Sequence, residues 1–189
     1  MTMLEDYNTQ GQQRGNLGIP SVPLGAKQTS ELCELLKSPP VGTEEKLIAL
    51  LRDRVPPGVD EAAYIKAGFL TGIAKEEIIS PLITPTYAVE LLGTMVGGYN
   101  VQSLIDILKS ENYELASTAA TALSKILLVY EAFNDVIELA ETNPYAKQVV
   151  DSWAAAEWFT TRPQLPEAIT VTVFKVPGET NTCLLYTSD

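Results

Sequence analysis

The feature that most constrains the fold is an unbroken series of short helical patterns from Thr29 to Phe159. Within each pattern apolar residues recur at spacings of three and four, as they do along one face of an amphipathic helix. The patterns are separated by short stretches rich in Pro, Gly and Asn, which end helices and form turns. Because short turns join neighbouring helices side by side, the sequence predicts a mainly α domain of antiparallel helix pairs.

Most of these patterns begin with a residue that can cap a helix N-terminus. Ser, Thr, Asp and Asn accept hydrogen bonds from the free N–H groups of the first turn, and Pro is favoured at the first helical position. The predicted starts are Thr29, Thr43, Asp60, Thr84 before Pro85, Asn112, and Asn143 before Pro144. The run after Asn112 is predicted to be the longest and most central helix, with an apolar face of Leu115, Ala119, Leu123, Ile126 and Leu127.

Two similar phrases hint at an internal repeat. LLKSP begins at Leu35 and ILKSE at Ile107, so the two phrases lie 72 residues apart, or twice 36. Repeats of this size are typical of stacked helix pairs, as in solenoid proteins. A stacked arrangement and a plain helical bundle both remain open from these two matches.

The pattern differs at both ends of the chain. Residues 1–28 are rich in Gln, Gly, Asn and Pro and are predicted to form an irregular N-terminal arm before a helical domain at 29–160. A proline-bounded linker is predicted at 161–167. Residues 168–176 alternate β-branched and other side chains, as a strand does. A strand needs a partner for its backbone groups, so residues 168–182 are predicted to begin a second, α/β domain.

The residue types present argue against a catalytic centre in this chain. The sequence has no histidine, which removes the commonest general base and metal ligand. Its two cysteines, Cys33 and Cys183, give neither a disulfide framework nor metal-ligand spacing. Cys33 is interpreted as a small apolar residue beside a helix core, in preference to a reactive thiol.

The charge balance bears on partners and location. With 13 basic and 24 acidic side chains the net charge is −11, which disfavours binding to a phosphate backbone because such binding depends on Lys and Arg. There is no run of 18 apolar residues and no signal-like N-terminus. The sequence therefore predicts no membrane partner and a cytoplasmic location.

Three local groupings could suggest a site, and each has a simpler structural explanation. Asp60 and Glu61 are adjacent at a helix start, where a cap and a first-turn charge account for them better than an acid/base pair. The glycine-rich segment at 93–100 follows a helix, whereas a phosphate-binding loop follows a strand, and it is interpreted as a turn. Trp153 and Trp158 are interpreted as core or junction residues in preference to a ligand-stacking pair. We predict no catalytic, cofactor-binding or metal-binding residue.

Several long phrases carry a family resemblance. The phrases are LLKSPP at 35–40, RVPPGVDEAAYIKAGFL at 54–70, ELLGTMVGGYN at 90–100, YAKQVVDSWAAAEWF at 145–159 and TVTVFKVPGETNT at 170–182. In this order they resemble the N-terminal region of bacterial aconitate hydratase B over about residues 22–182. The resemblance implies a HEAT-like helical domain followed by a swivelling α/β domain. It also implies, for the full-length enzyme, a [4Fe-4S] cluster in later domains that isomerises citrate and isocitrate through cis-aconitate, and often dehydrates 2-methylisocitrate.

The resemblance places no catalytic, cluster or substrate residue on this chain. Residues 183–189 depart from the family pattern and are interpreted as a non-native tail after a truncated α/β domain, so Cys183 is not interpreted as a cluster ligand. The implied role is contact with the remaining domains of the enzyme, with a second copy in a homodimer, or with other proteins. Two other functions stay open at this point: a freestanding helical scaffold, and RNA binding, which the family shows in some members and the charge disfavours.

Overall fold

A computed structural model describes residues 3–161 and 164–173. One compact unit spans Pro23–Pro163, and the described residues before and after it belong to a second unit. The described helices are α1 (Met3–Asn16), α2 (Ala26–Lys37), α3 (Glu44–Asp53), α4 (Glu61–Ala74), α5 (Pro85–Gly93), α6 (Tyr99–Leu108), α7 (Tyr113–Leu123), α8 (Ala132–Ala140), α9 (Pro144–Ala154) and α10 (Glu157–Thr160).

The prediction of a mainly α chain is confirmed. Four of the predicted starts are capped as expected: the side chains of Asp60, Thr84, Asn112 and Asn143 accept hydrogen bonds from backbone N–H groups of the first turn. Thr43 also precedes its helix, although its hydroxyl donates to the Pro40 carbonyl instead of capping. Short-range hydrogen bonds therefore stabilise four of the six predicted helix starts.

The helices of the larger unit pack in two rows. In one row α2 contacts α4, α4 contacts α6, and α6 contacts α8; in the other, α5 contacts α7 and α7 contacts α9. Sequence neighbours α4 and α5, α6 and α7, and α8 and α9 pack together across the rows. Contacts between each helix and the next but one are typical of stacked helix pairs. The HEAT-like assignment itself stays a prediction.

The core of this unit is made of Leu, Ile, Val and Ala, and close helix approach at α5 and α7 depends on small residues. A Cβ atom at Gly93 on α5 would lie 2.8 Å from the Cβ atom of Ala122 on α7. Because this separation is shorter than a van der Waals contact, glycine is what allows the two helices to pack so closely.

Several boundaries differ from the predicted ones. Residues 3–16 are helical, so the prediction of an irregular arm at 1–28 is wrong for that part. The second helix begins at Ala26 after Gly25, and Thr29 lies inside it with a fully buried side chain. The helix after Asn112 ends at Leu123 and is shorter than α4, so it is not the longest, although it does contact α5, α6 and α9.

The structure describes only part of the predicted C-terminal segments. Ala156 adopts a left-handed backbone conformation and separates α9 from α10. Residues 168–173 are not in a strand in the part of the chain that the structure describes, so the strand predicted at 168–176 is not confirmed. Residues 174–189, with the predicted tail and Cys183, lie outside the described residues. The boundaries 29–160, 161–167 and 168–182 stay predictions.

Candidate protein-contact surface

Cys33 lies on the buried face of α2 with 5% of its surface exposed. Burial raises the pKa of the Cys33 thiol to about 12; the charge of Lys37 lowers this pKa and that of Glu34 raises it, each by less than burial does. A thiol with this pKa is protonated at neutral pH and is a poor nucleophile and a poor metal ligand. Its position and its protonation fit the predicted role as a small apolar core residue.

The two acidic residues at the start of α4 have different structural roles, as predicted: one is a cap and the other a first-turn charge. Asp60 Oδ1 accepts a hydrogen bond of 2.7 Å from the backbone N–H of Ala63, which is the geometry of an N-cap. Glu61 follows as an exposed first-turn residue, where a negative charge favours the helix dipole. Asp60 is therefore engaged in capping the helix.

The glycine-rich segment forms a tight turn between α5 and α6. Val96, Gly97 and Gly98 have φ angles of 65°, 124° and 82° in sequence. Three consecutive residues with positive φ make an unusual backbone, and the strain falls on Val96 because its side chain is β-branched. The predicted turn is thus present, and it carries a strained residue that the sequence did not reveal.

Trp153 packs at the end of α9, as predicted for a core or junction residue. Its indole N–H donates to the Leu123 carbonyl at 3.1 Å, and its ring stacks on Phe133 with centroids 5.7 Å apart. These contacts tie α9 to the end of α7 and to α8. The side chain of Trp158 lies outside the described residues.

A groove of ≈ 520 Å³ runs over α4 between α2 and α6. Tyr64 and Tyr99 border it as an edge-to-face pair with centroids 5.1 Å apart, and Cys33 lies in its wall. Lys75 at its rim is 3.7 Å from Asp106 of α6. The two rings are exposed, and Lys37 pairs with Glu34 within α2.

Lys66 is a buried charge that the sequence reasoning missed. It lies on α4 with 2% of its surface exposed. Burial lowers the pKa of Lys66, and the negative charge of Asp53 partly opposes that effect. The regular apolar spacing around position 66 could have signalled its burial, because Ala62, Ala63 and Leu70 flank it on neighbouring turns.

These residues do not converge. In the part of the chain that the structure describes, no group of three or more His, Cys, Asp or Glu side chains could hold a metal ion. A [4Fe-4S] cluster is held by several cysteine thiolates, and the one described cysteine is a buried, protonated thiol. The described residues therefore do not fit such a cluster, and no chemical step is assigned to them.

Residues 6–159 match the family model of the aconitate B N-terminal domain. The chain belongs to this family. It is 66% identical over 180 residues to aconitate hydratase B of Synechocystis sp., 59% identical over 181 residues to that of Escherichia coli, and 44% identical over 179 residues to that of Helicobacter pylori. Each alignment covers 95% of this chain and 21% of the relative.

The chain thus spans about one fifth of the length of the aconitate hydratase B proteins it matches. The resemblance noted from the sequence is confirmed, and the matched region is the one that the family model describes as N-terminal. Among the described helices, none has both the length and the apolar character needed to cross a bilayer.

Proposed function

We propose that this chain is a non-catalytic N-terminal part of an aconitate hydratase, serving to arrange and contact the other parts of the enzyme. The observation that carries the proposal is the alignment: 95% of the chain aligns to only 21% of each relative. The complete enzyme would be a hydro-lyase that interconverts citrate and isocitrate through cis-aconitate, with 2-methylisocitrate as a further substrate. Its [4Fe-4S] cluster would lie in later domains, and a cytoplasmic location is part of the same proposal.

The residue types in the chain support a non-catalytic role. Removal of a proton from carbon requires a positioned base, and the sequence offers no histidine. Several titratable groups that the structure brings near one another are engaged in local ion pairs: Lys37 binds Glu34, Arg52 binds Asp53, and Lys147 binds Asp151. Each pair is exposed and lies within one helix, and such pairs contribute little to stability.

Surface character supports a contact role. Large apolar side chains are exposed in several loops of the Pro23–Pro163 unit, among them Val59, Val96, Leu128 and Tyr130. Isolated apolar residues are normal on protein surfaces, but clusters of them mark interaction sites. A freestanding scaffold would also use such a surface; the relatives favour the enzyme, because each of them continues for about four fifths of its length beyond the matched region.

The test compares the chain with the complete enzyme. Residues 1–189 and the full-length protein are purified and treated anaerobically with iron and sulfide, and cis-aconitate is followed by its ultraviolet absorbance. We expect turnover by the full-length enzyme and none by the chain. The chain and the rest of the enzyme, produced as separate polypeptides, should then co-elute on size exclusion. Turnover by the chain alone, or separate elution of the two parts at micromolar concentration, would contradict the proposal.

A further inference from the structure

Three loops of the Pro23–Pro163 unit meet at one edge of the stacked helices. They join α3 to α4, α5 to α6, and α7 to α8. A Cβ atom at Gly98 would lie 2.8 Å from Val59, and one at Gly97 would lie 2.9 Å from the carbonyl oxygen of Leu128. The turn between α5 and α6 therefore touches both other loops, as expected where alternate loops of antiparallel helices leave at the same end.

Each of the three loops exposes a large apolar side chain at this edge. The exposed fractions are 72% for Val59, 56% for Val96, 53% for Leu128 and 78% for Tyr130. We call these four residues the loop-edge patch. Gly98, Leu128 and Tyr130 line one cavity of ≈ 330 Å³, so the patch has a recess as well as projecting side chains.

The backbone of the patch is strained where its side chains are exposed. Val96 and Tyr130 have φ angles of 65° and 45°, in a region that non-glycine residues rarely adopt. Such residues persist only where the surroundings hold them, and they cluster at functional sites. Here both strained residues expose large apolar side chains, and burying these side chains against another surface would be favourable.

We propose that the loop-edge patch packs against the remainder of the same enzyme, the part beyond the region matched here; this inference rests on the proposed function. The relatives are about five times as long as the matched region, so a covalently attached partner is present at high effective concentration. Glu61, Glu131 and Asp135 are exposed around the patch. The partner surface is therefore apolar with Lys or Arg at its border.

A second copy of this chain fits the patch less well. Self-association through the patch would bring two acidic rims together on chains that each carry a net charge of −11. Like charges facing each other oppose association. The other edge of the helix stack offers a natural comparison, because the loops joining α2 to α3 and α4 to α5 expose Val41 and Ile79 there. The Ser80 hydroxyl, in the loop after α4, donates a hydrogen bond to the Leu36 carbonyl in the last turn of α2.

Amide hydrogen exchange tests the inference by comparing the full-length enzyme with the isolated 1–189 chain. We expect exchange in the loops at 56–60, 94–98 and 127–131 to be at least tenfold slower in the full-length enzyme. The loops at 38–43 and 75–80 should exchange equally in both. Equal exchange at the patch loops would overturn the inference, and so would protection that is lost on dilution of the full-length enzyme, because that result identifies a second copy as the occupant.

A pair of matched double variants makes the test specific. Val59→Ser with Leu128→Ser in the full-length enzyme should return exchange at 94–98 to the rate of the isolated chain, whereas Val41→Ser with Ile79→Ser should leave it slow. Equal thermal unfolding of the two variants in the isolated chain confirms that both fold. If the patch loops are unprotected while the α2–α4–α6 groove is protected, the inference fails and the proposed function stands. If no exposed segment of the chain is protected, both fail.

Discussion

Asn143 joins two helices with one side chain, and its replacement by alanine should destabilise the domain more than the loss of a simple cap. Its Oδ1 accepts from the backbone N–H groups of Tyr145 and Ala146 at 2.9 and 3.0 Å, which caps α9. Its Nδ2 donates to the carbonyl of Leu108 at 2.8 Å, at the end of α6. The side chain therefore serves as a cap and as a bond between helices.

The magnitude follows from these two roles. Loss of an N-cap costs about 1 kcal/mol. Loss of the bond to Leu108, whose side chain is fully buried, costs about 1–3 kcal/mol because a carbonyl of the final helical turn loses its partner. We expect Asn143→Ala to lower the free energy of unfolding by about 2–4 kcal/mol in total. For a chain of this size each kcal/mol lowers the melting temperature by about 2–4 °C.

Asn112→Ala is the matched control. Asn112 caps α7 through bonds of 3.0 and 3.4 Å to Glu114 and Leu115, and its side chain has no bond to another helix among those described. We expect this variant to lose about 1 kcal/mol. Urea unfolding followed by circular dichroism at 222 nm measures both variants against the unmodified chain. Equal losses for the two variants would refute the reasoning, since the bond to Leu108 would then contribute nothing.

Three further predictions test burial and packing. Lys66→Met should stabilise the chain by about 1–2 kcal/mol at neutral pH, because it removes a charge from a buried position while keeping a flexible apolar stem. The folded-state pKa of Lys66 is lowered from 10.5, so between the folded and unfolded pKa values the unfolded chain binds more protons and the stability of the unmodified chain should rise with pH. The difference in free energy of unfolding between Lys66→Met and the unmodified chain, measured with urea from pH 7 to 10, should therefore shrink as pH rises. A constant difference would contradict this. Gly93→Ala should be about 1–3 kcal/mol less stable than Gly68→Ala, because a Cβ atom meets Ala122 at the first site and open space at the second; equal melting temperatures would show that α5 and α7 can separate without cost. In a Cys183→Ser background, Cys33 should react with a disulfide reagent at pH 8 at least 100-fold more slowly than in 6 M guanidinium chloride, because the thiol is buried and its pKa is raised to about 12; equal rates would place the thiol in solvent.

Local chemistry in the sequence was enough to find most helices. Asp60, Thr84, Asn112 and Asn143 each bond to N–H groups two or three residues ahead, and such contacts depend on nothing distant. The positive φ angles of Gly97 and Gly98 were also predictable, since glycine is the residue that adopts them without strain. The resemblance to aconitate hydratase B could be recognised for a related reason: it rests on long continuous phrases.

Other features depended on packing between distant residues. Thr29 has the composition of a cap, yet it is fully buried inside α2, because the burial of Leu32 and Leu36 favours a helix that begins earlier, at Ala26. The helix at 3–16 has a weakly apolar sequence, which is why its pattern gave no signal. Propensity differences of a few tenths of a kcal/mol per residue are smaller than the energy of burying one apolar side chain, so tertiary contacts decided these cases.

The loop-edge patch shows the same division most clearly. The sequence determined that Val59 and Val96 lie in or beside turns, since glycine and proline near them end the helices. It gave no such signal for Leu128 and Tyr130, because neither glycine nor proline lies near them and the helix after Asn112 was predicted to continue to Leu127. Only the tertiary structure brought together three loops that are more than 30 residues apart in sequence, and only it placed Val96 and Tyr130 in left-handed backbone. The physical reason is that a turn's residues set where the chain reverses, whereas the packing of whole helices sets which turns become neighbours and which residues must bear the strain.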